Sequence, residues 1–200
     1  SNMGLFSFFK KKNQKIAVES KSTEIVDKEI QTETNNIENQ RKGYLELGKI
    51  CISETNIDDY VNFIIDLKDY TDDEDYYTTL NYVIDNLYQK GYYFIIILDW
   101  KQEIISLYKS IENTLERNFN TKIELPVPEK YGERASVSFE NVFRDYDEAL
   151  NNEGFQLSFI DTNSDQYVVV VHKIEDLEAT TKAIQKIGYD CLNSSSPKLN

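Results

Sequence analysis

The order of apolar runs along this 200-residue chain predicts an α+β domain. The expected architecture is a ferredoxin-like split βαββαβ sheet with a preceding helical layer. Three observations predict it. Tyr92 to Leu98 is a continuous apolar and β-branched run, the mark of a strand buried on both faces. Phe155–Ile160 and Tyr167–Val171 are strand-like runs joined by the turn formers Asp161-Thr162-Asn163-Ser164-Asp165, which predict a hairpin. Segments with helical apolar spacing lie before the first strand, between the first and second, and after the third.

The elements follow in order. Ser1-Asn2 before Met3 reads as a cloning remnant. Residues 13 to 42 are rich in Glu, Lys, Thr, Asn and Gln and contain no aromatic residue, so they predict a disordered linker after an apolar-basic head. Residues 43 to 195 then form the single α+β domain, with a helical layer over 43–90 and the sheet and its helices over 91–192. Tyr44, Leu47 and Cys51 fit a short helix. Asn56 stands where it can cap a helix carrying Ile57, Tyr60, Val61, Ile64 and Leu67 on one stripe. A third helix is expected from about Asp73, with Tyr77, Leu80, Val83, Ile84, Leu87 and Tyr88 inward and Gly91 closing it. After the first strand, Asp99 and Gln102 make a capping-box pattern ahead of a helix through Ile104 to Leu115, with Trp100 packing its first turn on the sheet. Residues 120 to 138 read as an excursion. A helix over Val142–Leu150 ends at Gly154; another over Glu175–Ile187, with Leu177, Ile184 and Ile187 inward, ends at Gly188; Tyr189–Leu192 is a last edge strand.

Charge narrows the function classes. The chain carries a formal net charge of -13. Residues 43–200 hold 14 basic and 29 acidic residues, so the body repels the phosphate backbone whose neutralisation supplies most nucleic-acid affinity. No nucleic-acid partner is expected; a basic protein partner fits the charge. Cys51 and Cys191 lie far apart without metal-ligand spacing, which favours a reducing, cytoplasmic compartment. No apolar run approaches the roughly 18 residues of a membrane span. The head is different: Leu5, Phe6, Phe8 and Phe9 precede Lys10, Lys11 and Lys12, a pattern suited to weak contact with an anionic membrane surface.

No residue set meets the requirements of a known catalytic motif. In a split sheet the first and second strands run parallel with the third between them, so Asp99, Asp161 and Asp165 converge on one sheet edge and His172 falls at the opposite one. The three carboxylates are the candidate ligands of a hard cation, although helix capping and turn chemistry account for each of them. His172 is too distant to act with them, and the expected cofactor set is empty. Eight tyrosines fall between residues 60 and 93. Tyr76 and Tyr82 lie off the apolar stripe of their helix, beside Asp72, Asp73 and Asp75, which is the composition of a partner-binding face.

The strings Ile97-Leu98-Asp99-Trp100-Lys101, Asp145-Tyr146-Asp147-Glu148-Ala149-Leu150, Gly154-Phe155-Gln156-Leu157, Phe159-Ile160-Asp161-Thr162 and Val171-His172-Lys173 resemble the bacterial domain-of-unknown-function family 6630, over about residues 43 to 190. That family carries no assigned activity, so the resemblance implies no site residues. Two functions fit the sequence. One is a non-catalytic acidic protein-interaction module, regulatory or immunity-like. The alternative is a metal-dependent hydrolase built on the carboxylate edge.

Overall fold

The computed structural model describes residues 23–132 and 134–199, with side chains placed from Asn36 onward. The head, with Leu5, Phe6, Phe8, Phe9, Lys10, Lys11 and Lys12, lies outside the described residues.

Four strands, β1 (Ile95–Asp99), β2 (Phe155–Asp161), β3 (Gln166–Lys173) and β4 (Asp190–Asn193), form one sheet in the order β1-β3-β2-β4. Every neighbouring pair is antiparallel, with Ile97 opposite Val168, Ser158 opposite Val170 and Ile160 opposite Cys191. The β2–β3 hairpin forms where the turn residues predict it. Asp161 Oδ1 accepts from Asn163 N at 3.0 Å, and Asn163 takes the left-handed φ of 51° that asparagine tolerates.

The ferredoxin-like expectation is corrected at the fourth strand. In that topology the last strand pairs with the first; here β4 pairs with β2, at the other edge. Handedness then decides the layers. The β1-to-β2 crossover and the β3-to-β4 crossover step in the same direction across the sheet while their strands point oppositely. Right-handed connections therefore carry their helices to opposite faces. The two cores agree. Helices α4 (Ile104–Phe119) and α5 (Val142–Asn151) cover one face, packing on Ile96, Leu98, Leu157, Phe159, Val169 and Val171. Helices α1 (Thr23–Cys51), α2 (Ile57–Ile65), α3 (Thr79–Lys90) and α6 (Leu177–Ile187) cover the other, around Ile95, Ile160, Val168 and Val170. Sheet burial on both faces is why β1 and β3 read as unbroken apolar runs.

Helix α1 begins at Thr23 and runs unbroken through residue 42, where composition predicted a linker up to that point. Its two glycines serve close packing. A Cβ on Gly43 would lie 2.6 Å from the Ala183 carbonyl of α6, and one on Gly48 would lie 2.2 Å from the Tyr60 ring of α2. Helix α3 starts six residues later than expected, because the Thr78 side chain, accepting from Asn81 N, caps it. Tyr77 falls before that cap at φ 61° and is exposed, and Tyr88 in the last turn of α3 is exposed as well, where both were expected inward. Leu177 and Trp100, both expected to pack, are each 44% exposed. The Trp100 ring instead carries Lys101 Nζ, 4.6 Å from its centroid.

Candidate functional site

Asp99 and Asp161 end β1 and β2, and Asp165 precedes β3, so the topology does bring all three to one end of the sheet. Their side chains have other partners. Asp99 Oδ1 accepts from Lys101 N at 2.9 Å, while Gln102 Oε1 accepts from Asp99 N at 3.1 Å. Only the Gln102 half of the expected capping box is made: the Asp99 side chain accepts from the residue two on, as in an Asx turn, while Gln102 N donates to the Asp99 carbonyl. The turn lies ahead of α4, since Glu103 is the residue that flanks the helix. Asp161 is paired with Lys198 Nζ from the C-terminal segment. That ammonium first, and the Asn163 backbone N–H after it, hold the Asp161 carboxyl below its ordinary range despite partial burial. Asp165 is exposed on the hairpin turn. Among the described residues no group of three His, Cys, Asp or Glu side chains is placed to hold a metal ion.

His172 sits at the opposite end, as the strand directions require, and it has a partner the sequence reading missed. Its Nδ1 lies 2.7 Å from the Lys173 carbonyl oxygen, which can only accept, so Nδ1 carries the proton. Nε2 is then an acceptor, and the Ser158 hydroxyl donates to it at 2.8 Å. Burial pushes the imidazole pKa down, against the Lys173 carbonyl and the charges of Asp176 and Asp147, which push it up. A serine hydroxyl donating to histidine is the bonding of a hydrolytic dyad. Here both side chains are enclosed: His172 is 0% and Ser158 1% exposed, on the sheet face covered by α1 and α6. The pair ties β2 to β3 beneath the helices, closed off from solvent. Two positions on separate strands carry no local motif, so only the hairpin register could have joined them.

Asp147 on α5 has a similar structural task. It accepts from Leu157 N at 2.7 Å and from the Ser194 hydroxyl at 2.5 Å, closing the edge of β2 where the short β4 ends.

The structure brings Tyr76 and Tyr82 together, and adds two rings to them. Tyr82 on α3 stacks on Tyr70 with centroids 4.3 Å apart, meets Tyr76 edge-on at 5.0 Å, and lies 5.6 Å from Phe63 of α2. Tyr70 and Tyr76 meet edge-on at 5.7 Å. All four rings are partly exposed, so the cluster forms a surface platform joining α2, α3 and the loop between them. Asp73 shapes that loop: its Oδ1 accepts from Asp75 N at 2.9 Å and from Tyr76 N at 3.0 Å. The Tyr76 hydroxyl donates to Asp85 Oδ2 at 3.0 Å, and burial together with that carboxylate pushes the phenol pKa up to about 12. Beneath the loop, buried Asn81 donates from Nδ2 to the Tyr76 carbonyl, and its Oδ1 meets no donor among the described residues.

Residues 57–90 contain nine acidic and two basic side chains. Asp72, Glu74 and Asp75 are exposed on this loop. Lys90, one of the two bases, lies 5.9 Å over the Phe63 ring and 2.8 Å from Asp59 Oδ2. The Tyr92 hydroxyl also donates to Asp59, at 2.7 Å. Lys90 thus shows how this surface receives a cation, by ring and carboxylate together. Phe63 and Tyr70 escaped the sequence reading because each lies off the main stripe of its segment, although Phe63 and Tyr82 share that off-stripe placement as a signal.

A surface cleft lined by Phe139, Asn141, Arg144, Ser194 and neighbours encloses ≈ 130 Å3, below the roughly 300 Å3 at which small-molecule pockets begin. The recognisable features are a three-layer α+β domain and a partly exposed aromatic platform rimmed by carboxylates. The chain belongs to the family described as Domain of unknown function (DUF6630), whose profile matches residues 44–195. No curated protein and no solved structure matches it. No described helix is long and apolar enough to cross a membrane.

Proposed function

We propose that this domain is a non-catalytic acidic protein-interaction module, regulatory or immunity-like and cytoplasmic, that docks a basic protein segment on the α2–α3 face. The observation that carries the reading is the partly exposed Phe63–Tyr70–Tyr76–Tyr82 cluster set in a strongly acidic stretch of the chain. Tyrosine supplies large contact area at low entropic cost, and the rings offer faces for lysine or guanidinium groups. The surrounding carboxylates select cationic partners and speed their encounter. The hydrolase alternative has less support, because Asp161 is engaged by Lys198 and Asp99 by its own turn.

The test uses fluorescein-labelled nona-arginine as the probe in fluorescence anisotropy. Replacing three exposed carboxylates, D72N/E74Q/D75N, removes charge without removing any structural hydrogen bond named above. At about 0.5 kcal/mol per exposed pair the affinity falls roughly tenfold, with unchanged melting temperature. Equal affinity for wild type and variant refutes the reading.

A further inference from the structure

We infer that the α2–α3 face is regulated by this chain's own basic head, residues 3–15, which competes with an external partner for it. The inference rests on the proposed function of that face. Four observations lead to it. First, α1 crosses the body beside the acidic loop: Arg41 holds the Leu67 carbonyl at the end of α2, with Nε at 2.9 Å, and Gln40 Oε1 accepts from the Thr79 hydroxyl at the start of α3. The Tyr44 hydroxyl, 3.0 Å from the same Thr79 hydroxyl, fixes the crossing. The chain therefore leaves the body, toward its N-terminus, next to the loop that carries Tyr70 and Tyr76. Second, the reach suffices. Helix from Thr23 to Arg41 extends about 27 Å, whereas the chain between Lys12 and Thr23 can span up to about 36–40 Å, so the lysines can return over the loop. Third, the chemistry is complementary. The head offers Lys10, Lys11, Lys12 and Lys15 with no acid, plus Leu5, Phe6, Phe8 and Phe9, to a surface of partly exposed tyrosine rings and exposed carboxylates. Fourth, Lys90 over Phe63 and against Asp59 is the same pairing already made within the chain. A tethered ligand acts at an effective concentration near the millimolar range, so even a weak head contact occupies the face and lowers apparent affinity for a partner in trans.

The experiment measures nona-arginine binding to the full chain and to K10Q/K11Q/K12Q. A control, K101Q/K122Q/K173Q, removes the same charge from exposed lysines elsewhere. The inference predicts that the head variant binds the probe on the order of three- to tenfold more tightly than wild type, that the control matches wild type within about twofold, and that the difference vanishes near 1 M NaCl. Probe affinity unchanged in the head variant, or raised equally in the control, overturns the inference and leaves the interaction reading standing. A probe that ignores D72N/E74Q/D75N as well overturns both. Vesicles of phosphatidylserine and phosphatidylcholine form a further arm. Sedimentation of wild type with them, lost in the head variant while probe affinity is the same for both chains, assigns the head to a lipid surface and overturns the inference.

Discussion

His172 is the one histidine in the chain, so proton linkage between pH 7.5 and 5.5 reports on a single buried side chain. Burial lowers its pKa in the folded protein, with Lys173 O, Asp147 and Asp176 opposing in part. The unfolded chain therefore binds a proton that the native state refuses. Stability is fully present above the unfolded value near 6.5 and is lost progressively as pH falls from there toward the lower folded value. The limiting loss is about 1.4 kcal/mol per pH unit, which bounds the change between pH 7.5 and 5.5 at about 1.4 kcal/mol. With a urea slope of about 2 kcal/mol/M, the midpoint moves down by up to about 0.7 M. Asp145 and Asp161, held low by Lys130 and Lys198, lose their contribution only at more acid pH, so they do not obscure this window. The assay is urea unfolding followed by tryptophan fluorescence at both pH values, for wild type and His172→Gln, which keeps an acceptor for Ser158. Wild type should show the shift and the variant should not. A direct check is the imidazole NMR titration, whose pKa should lie below that of a free imidazole, with the neutral form above it the Nδ1–H tautomer. An unshifted midpoint, or an equal shift in the variant, refutes the buried neutral Ser158–His172 pair.

Further outcomes follow from packing. Gly43→Ala should destabilise by about 1–3 kcal/mol in thermal or urea unfolding, although alanine favours helix, because its Cβ would meet the Ala183 carbonyl. Asp147→Ala should cost about 2–3 kcal/mol and speed hydrogen exchange at Leu157, by leaving a part-buried N–H without its acceptor; Asp147→Asn should cost less than about 1 kcal/mol. Deleting residues 1–22 should lower the melting temperature by only about 2–5 °C, the roughly three- to tenfold head contact being lost, whereas deleting 1–42 should lower it by roughly a further 5–10 °C through loss of the Gln40, Arg41 and Ile37 contacts.

The strands and the paired hairpin were legible because apolar run length and turn chemistry are local. The direction of each strand followed, and with it the separation of His172 from Asp99 and Asp161. The partner of β4 was not legible: four polar-edged residues, Asp190–Asn193, fit either sheet edge, and only the face taken by α6 decides between them. The start of α1 was written in the spacing of Ile30, Ile37, Tyr44 and Cys51, seven residues apart, but low apolar content outweighed that period. At the aromatic face Tyr76 and Tyr82 were legible as off-stripe rings among acids. Tyr70 and Phe63 needed the angle between α2 and α3, which no local pattern gives. That Asp99, Asp161 and Asp165 lie at one end of the sheet followed from strand direction, whereas Lys198, from a terminal segment 37 residues beyond Asp161, was beyond reach of any motif.

The central claim is that the tyrosine platform is where a basic segment binds, and fluorine NMR of the 3-fluorotyrosine-labelled full chain tests it most directly. Signals are assigned by single Tyr→Phe changes, and nona-arginine is titrated into wild type and into K10Q/K11Q/K12Q. The signals of Tyr70, Tyr76 and Tyr82 should move with saturation in both chains, while those of buried Tyr44, Tyr60 and Tyr146 stay fixed. Movement confined to other tyrosines, such as Tyr131 on the opposite layer, with those three unmoved, would contradict it.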